Sequence, residues 1–91
     1  IWAYNDAAAA IVYTSLRGSG YDVPGDISVA GYDHMEQVRN LNLTTFDYRY
    51  SDMGRVAVNM ALNLMQGNVN WPIRFCVVPA FIAGQTTAPV L

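Results

Sequence analysis

The sequence predicts an α/β fold, built from layers of parallel sheet with helices on both faces. Hydrophobic residues make up 53% of the 91 residues and charged residues only 13%, so we expect either that partners cover its surface or that the chain is incomplete. Residues 27–32 are almost continuously apolar, which is typical of a strand covered on both faces. Strand and helix patterns alternate along the chain, as in layered α/β domains. The length fits one small domain or part of one.

The first half of the chain predicts three strands and two helices. Residues 1–4 resemble the end of a buried strand, so we expect the chain to begin inside a strand. Asn5 and Asp6 then offer side-chain oxygens that can cap a helix over residues 7–16, which Gly18 and Gly20 end. The next strand covers residues 27–32, and a short helix and a third strand follow at residues 35–40 and 43–46.

The second half predicts one long helix and a final strand. Ser51 is expected to cap the helix, which ends at Gln66. Its apolar residues recur at helical spacing and form one stripe: Met53, Val56, Ala57, Met60, Ala61, Leu64 and Met65. Residues 74–82 then predict a last strand, interrupted or bent at Pro79.

Charge and cysteine content exclude several classes of function. The chain has no lysine, its five arginines are scattered, and its formal net charge is -2, so we expect no nucleic-acid binding by this segment alone. Cys76 is the single cysteine and is interpreted as a small buried hydrophobe in the last strand. His34 is interpreted as an exposed loop residue, since no partner ligand has a spacing that suits a metal site. We expect neither a metal nor a cofactor. No apolar run reaches the roughly 18 residues that a membrane helix requires.

Polar residues stand at the ends of the first two predicted strands. In an open parallel sheet, ligands bind beyond the carboxyl ends of the strands, where Asn5 and Asp33 are placed. An amide beside a carboxylate suits a polyhydroxylated ligand, and Tyr32 and Tyr50 offer aromatic surface for a sugar ring. The alternatives stay open: Asn5 and Asp33 as helix caps, and the two tyrosines as core or rim residues. A magnesium-dependent phosphoryl-transfer enzyme is a further alternative, disfavoured by the absence of lysine.

Several motifs, taken together, resemble the lac repressor/galactose repressor family of bacterial transcription regulators. They occur in the family's order over nearly the whole chain: Tyr4-Asn5-Asp6 before an alanine-rich helix, the stretch GYDVPGDISVAGYD at residues 20–33, Leu43-Thr44-Thr45, Met53-Gly54, and Thr86-Thr87-Ala88. Three places depart from the family pattern: His34, a short loop at residues 33–43, and Gly84 where arginine is frequent.

The resemblance implies a partial C-terminal subdomain, covering residues 1–91, of a periplasmic-binding-protein-like effector domain. The DNA-binding helix-turn-helix and the N-terminal subdomain would lie upstream and are absent from this chain. Family likeness assigns ligand contacts to Asn5 and Asp33 and places Tyr50 at the pocket. It implies a cytoplasmic, non-enzymatic repressor segment whose effector is a sugar, with a nucleoside or purine as an open alternative.

The first helix predicts a subunit interface. Because the helix is apolar on all sides, it should be buried on all sides. One face can cover the sheet, and the other, through Ala10, Tyr13 and Thr14, would need a partner subunit, as the resemblance implies for a homodimer. Alternatively, the missing part of the chain covers this face of the helix instead of a second subunit. A monomeric periplasmic sugar-binding protein of a transport system is the alternative function.

Overall fold

The computed structural model describes residues 1–68 and 72–90, which divide into two compact units. One unit combines Ile1–Asp47 with Ala80–Leu91, and the other is Tyr48–Pro79. The first contains helix α1 (Asp6–Gly18), a 3-10 helix (Glu36–Leu41) and the strands β1 (Thr45–Asp47) and β2 (Ala80–Ile82), and the second contains helix α2 (Tyr50–Met65).

Three extended segments of the first unit lie side by side in parallel. Ala30 forms parallel bridges to Trp2 on one side and to Thr44 on the other. Backbone hydrogen bonds join these segments, from Ala3 N to Ala30 O at 2.8 Å and from Gly31 N to Thr44 O at 2.9 Å. The predicted parallel arrangement is therefore present, although only residues 45–47 of the three segments form a regular strand.

The last predicted strand is shorter than expected and runs in the opposite direction. Only Ala80–Ile82 forms β2, which pairs antiparallel with β1 so that Phe46 faces Phe81. Residues 74–79 are not in a strand, and Pro79, which has no amide hydrogen to donate, directly precedes β2. Cys76 is exposed, so its interpretation as a buried strand residue is wrong.

Helix α1 is the helix expected at this position. Its first turn is capped by Asn5, whose Oδ1 accepts a hydrogen bond from Ala8 N at 2.9 Å, and it ends at Gly18. Ala9 is fully buried and forms the core with Val29 and Leu43. Ile11, however, is 69% exposed, so the described residues do not cover the whole helix, and the cover expected from a partner subunit or from the rest of the protein stays a prediction.

Close approach of α1 to the second extended segment depends on Gly31. A Cβ atom at this position would overlap Asp6 Oδ1 and would lie 3.1 Å from both Ala9 Cβ and Asp6 Cα. Only a residue without a side chain lets the helix pack at this distance. Gly31 is itself buried.

A cluster of threonine hydroxyls ties the end of the chain to the sheet. Thr86 Oγ1 donates to Val29 O at 2.6 Å and accepts from Thr44 N at 3.0 Å. The hydroxyls of Thr44 and Thr87 lie 2.8 Å apart. Two of the sequence motifs, around Thr44 and Thr86, therefore pair with each other and satisfy backbone groups of the extended segments.

Helix α2, in the second unit, begins one residue before the predicted cap. Arg49 occupies the N-cap position with φ 60°, and no side chain caps the helix, so Ser51 is not the cap. Within the predicted stripe Val56, Met60 and Leu64 are half-buried, spaced four residues apart as one helical face requires. No residue of α2 is fully buried in the described structure.

The predicted short helix at residues 35–40 is present as the 3-10 helix Glu36–Leu41. It ends at Asn42, which adopts φ 51°. Within residues 1–68 and 72–90, the structure contains no helix with the length and apolar character needed to cross a membrane.

Candidate functional site

The first unit brings Asn5 and Asp33 together at the ends of two neighbouring parallel segments. Asp6 N donates a hydrogen bond to Tyr32 O at 2.8 Å, which joins the residue after Asn5 to the residue before Asp33. Both side chains are half-buried. An amide and a carboxylate therefore stand at adjacent strand ends, where ligands of open parallel sheets bind.

Asp33 has an unusual environment for a carboxylate. Its Oδ1 is buried and, within the described part of the chain, has no hydrogen-bond partner. Its backbone adopts φ 102°, and its amide nitrogen donates to Phe46 O at 2.9 Å. Leaving a buried oxygen unpaired is unfavourable, by roughly 1–3 kcal/mol for an ordinary polar group.

Asn5 caps the helix with its side-chain oxygen, and its side-chain amide nitrogen is left to donate elsewhere. Its Oδ1 is used by Ala8 N, which supports the cap interpretation. Its amide nitrogen makes no hydrogen bond to the described residues and can donate to a ligand oxygen. The two interpretations of Asn5 are therefore compatible.

Tyr32 lies in an aromatic cluster on one side of the sheet. Its ring stacks on Phe46 at 5.4 Å between centroids, and Phe46 also contacts Trp2 at 6.0 Å and Phe81 at 5.3 Å. Trp2 and Phe81 remain 69% and 61% exposed, so the cluster presents aromatic surface next to the Asp33 strand end. The ligand role of Tyr32 stays a prediction.

Tyr50 lies outside this unit, as the first residue of α2 in the second unit. Its side chain is exposed and packs edge-on against Tyr48, with 5.1 Å between the ring centroids. Its ligand role also stays a prediction.

His34 is not the exposed loop residue that the sequence suggested. It is half-buried, and its Nδ1 lies 3.6 Å from Asp47 Oδ2. Its backbone adopts φ 53°, directly after the left-handed Asp33. Two consecutive left-handed residues form a sharp turn immediately after the strand end.

Asp6 and Thr45 form buried hydrogen bonds beside the two strand ends, and these contacts could not be predicted from the sequence. Asp6 is only 2% exposed, its Oδ1 accepts from Thr45 Oγ1 at 2.6 Å, and its Oδ2 accepts from Met35 N at 2.9 Å. The sequence offered one signal, the Asn-Asp pair at the start of the helix. It could not show that the second side chain turns inward, because that depends on Gly31 leaving room.

One cavity of about 210 Å³ opens beside these residues, on the side of the 3-10 helix. Neither Asn5 nor Asp33 lines it; the lining residues are Asp6, His34, Met35, Val38, Arg39, Asn42, Leu43, Thr45, Ile82, Ala83 and Gly84. Because both oxygens of Asp6 are already hydrogen-bonded, the cavity offers fewer free polar groups than its lining suggests. The strand-end position therefore remains the better candidate for the ligand.

The residues predicted to meet a partner subunit have different environments. Thr14 is exposed, and its hydroxyl donates to Ala10 O at 2.8 Å. Ala10 is half-buried, and Tyr13 packs partly against the core of the first unit. The most exposed large apolar residue on α1 is Ile11, which lines a shallow groove with Ala10, Thr14 and Ser15. The dimer interface stays a prediction.

The described residues contain no group of three or more histidine, cysteine, aspartate or glutamate side chains that could hold a metal ion.

The chain is similar to known proteins over almost its whole length. Residues 1–87 match the model of the periplasmic binding protein-like domain. The chain is 30% identical over 90 residues to the HTH-type transcriptional regulator GalS of Salmonella typhimurium, covering 97% of this chain and 26% of that protein.

Two solved structures are similar along almost the whole chain. A LacI-family transcriptional regulatory protein from Corynebacterium glutamicum has a TM-score of 0.77 and 31% identity, with 99% of this chain and 36% of that chain covered. The lac repressor dimer bound to operator and the anti-inducer ONPF has a TM-score of 0.87 and 28% identity, with coverage of 97% and 31%. The chain thus spans about a quarter to a third of the length of these relatives.

Proposed function

Because the chain belongs to the periplasmic binding protein-like domain family, in the form found in lac repressor/galactose repressor regulators, we propose that it senses a small-molecule effector within a bacterial transcription repressor. It would form part of the C-terminal subdomain, with the helix-turn-helix and first subdomain upstream. Effector binding would change the DNA affinity of the whole protein. In this proposal the segment is not an enzyme, acts in the cytoplasm and contributes to a homodimer.

The observation that carries the proposal is the Asp33 carboxylate. Its buried, unpartnered Oδ1 stands at a strand end beside Asn5, whose amide nitrogen has no partner among the described residues. A carboxylate that accepts and an amide that donates match two neighbouring hydroxyl groups. This chemistry favours a sugar as the effector, and the nearby exposed rings of Trp2 and Phe81 favour the same class.

Coupling to DNA requires that the effector bind two states of the protein unequally. A ligand shifts a conformational equilibrium only by its difference in affinity for the two states. Hydrogen bonds to Asp33 that form in one arrangement and break in the other would supply that difference, since a hydrogen bond to a charged group contributes roughly 1.5–3 kcal/mol.

The experiment tests Asp33 in the intact protein. A panel of D-glucose, D-galactose, D-ribose, D-xylose and adenosine is screened by thermal shift, and the tightest ligand is measured by calorimetry. Asp33→Asn keeps the side-chain size and tolerates the left-handed backbone. We expect at least about tenfold weaker binding, because a charged acceptor is lost. Unchanged affinity in this variant would refute the site assignment.

A second pair of variants separates the two roles of Asn5. Asn5→Ser keeps a side-chain oxygen for the helix cap but removes the amide donor. We expect Asn5→Ser to retain the thermal stability of wild type and to bind the effector more weakly. Asn5→Ala should lose both. Equal effector affinity in wild type and Asn5→Ser would show that Asn5 is only a cap.

A further inference from the structure

A buried set of hydrogen bonds holds the turn that follows Asp33. The Asp6 clamp consists of the Asp6 carboxylate, the Thr45 hydroxyl and the backbone amide of Met35. Thr45 Oγ1 donates to Asp6 Oδ1 at 2.6 Å, and Met35 N donates to Asp6 Oδ2 at 2.9 Å. The two side chains are only 2% and 1% exposed, so water does not compete for these bonds.

The held turn is strained and needs outside support. Asp33 and His34 adopt φ 102° and 53°, and each left-handed non-glycine residue costs roughly 1–3 kcal/mol. His34 N lies 3.4 Å from Thr45 Oγ1, so the clamp reaches the turn at two successive amides. Such strain persists only where the surrounding contacts over-determine the backbone.

The charge of Asp6 suits this role. The carboxylate is the first residue of α1, where the positive end of the helix dipole stabilises an anion. Its two oxygens accept from donors on two different segments, the turn and β1. An asparagine of the same shape would lack the negative charge, so the hydrogen bonds from Met35 N and Thr45 Oγ1 would no longer both be charge-assisted.

We propose that Asp6 is a positioning residue, which fixes the left-handed turn and thereby aims the Asp33 carboxylate at the effector. Asp6 does not touch the effector, since both of its oxygens are engaged inside the protein. This inference rests on the proposed function, because Asp33 is the residue on which it acts.

The first test needs no ligand. Amide hydrogen exchange of His34 and Met35 is measured by NMR in the intact protein. Asp6→Asn should raise both exchange rates by about tenfold or more, as expected for loss of a charge-assisted hydrogen bond. The control is Asp52→Asn, which removes a carboxylate that forms ion pairs with the partly exposed Arg49 and Arg55 in the second unit. Unchanged exchange in Asp6→Asn would overturn the clamp.

Thr45 provides a second route if Asp6→Asn does not fold. Thr45→Val removes the hydroxyl at nearly constant volume, whereas Thr45→Ser retains it. We expect fast exchange at His34 and Met35 in the valine variant and slow exchange in the serine variant. Fast exchange in both variants, or slow exchange in both, would contradict a role for the hydroxyl.

The last test asks whether the clamp acts through Asp33. Calorimetry with the tightest-binding sugar of D-glucose, D-galactose, D-ribose and D-xylose compares Asp6→Asn, Asp33→Asn and the double variant. We expect Asp6→Asn to weaken binding about tenfold in the presence of Asp33 and to add nothing once Asp33 is replaced. Additive losses would overturn the positioning role. If Asp33→Asn alone binds like wild type, the proposed function fails at its site, and the exchange measurement still decides the clamp.

Discussion

Helices α1 and α2 are attached to their units in opposite ways. Helix α1 begins with a side-chain cap from Asn5, a buried carboxylate at Asp6 and a fully buried Ala9. Helix α2 begins at Tyr50, after a left-handed Arg49 that provides no side-chain cap, and none of its described residues is fully buried. Sequence periodicity alone would rank them the other way, because α2 has the cleaner apolar stripe.

This difference teaches that polar contacts, as well as apolar pattern, determine where a helix is fixed. At α1 the first turn is bonded to two other segments, through the Asp6 oxygens and the Asp6 amide. At α2 the first turn has the ion pair between Arg49 and Asp52, whose side chains are 51% and 34% exposed. Exposed ion pairs of this kind contribute little, typically up to about 1 kcal/mol.

The largest effect is expected from a substitution that disrupts the close packing of α1. Gly31→Ala places a methyl group against Asp6 and Ala9 and should reduce the free energy of unfolding by about 3 kcal/mol. The matched control is Gly54→Ala in α2, where the added methyl meets no described atom within 4 Å. That control should stabilise the protein by roughly 0.5–1 kcal/mol through helix propensity. Urea denaturation measures the free energy of unfolding of both variants. Equal changes would contradict the difference drawn between α1 and α2.

The next effect concerns the threonine cluster of the first unit. Thr86→Val keeps the side-chain shape but removes two buried hydrogen bonds, to Val29 O and from Thr44 N. We expect a loss of about 2 kcal/mol in the free energy of unfolding, because two backbone groups lose their partner. Thr87→Val, at an exposed position, is the control and should cost less than about 1 kcal/mol. Similar losses of unfolding free energy in the two variants would show that the two buried hydrogen bonds of Thr86 are not the main contribution of the cluster.

The smallest effect is expected from substitutions at the first turns of α1 and α2, which test whether a side chain caps each helix. Asn5→Ala removes the cap of α1 and should cost about 1 kcal/mol. Ser51→Ala changes a residue that follows the start of α2 and caps nothing, so a change within about 0.5 kcal/mol is expected. Chemical denaturation distinguishes the two. A loss at Ser51 as large as that at Asn5 would show that α2 is capped by its side chain after all.

Much of the first unit could be predicted from the sequence. The cap at Asn5, the end of α1 at Gly18 and the parallel order of the first three segments follow from local signals and the apolar pattern. The placement of Asn5 and Asp33 at adjacent strand ends follows from the same topology. Their ligand roles remain predictions.

The contacts that the sequence did not reveal are long-range ones. Asp6 and Thr45 are 39 residues apart, and Thr44 and Thr86 are 42 apart. No local spacing rule links such pairs, so threonines that serve as hydrogen-bonding partners look like ordinary strand formers. Cys76 was misjudged for a related reason, since apolar character does not show which surface covers a residue.

The first unit is discontinuous in the sequence, and this has a consequence for its synthesis. Its first 47 residues need β2 and the threonines near the end of the chain, which follow a separate unit of 32 residues, Tyr48–Pro79. A nascent chain that has not yet reached Thr86 leaves Val29 O and Thr44 N without their partner. Almost the entire segment must therefore be synthesised before the first unit can complete these contacts, and until then the apolar residues that they cover stay exposed to water.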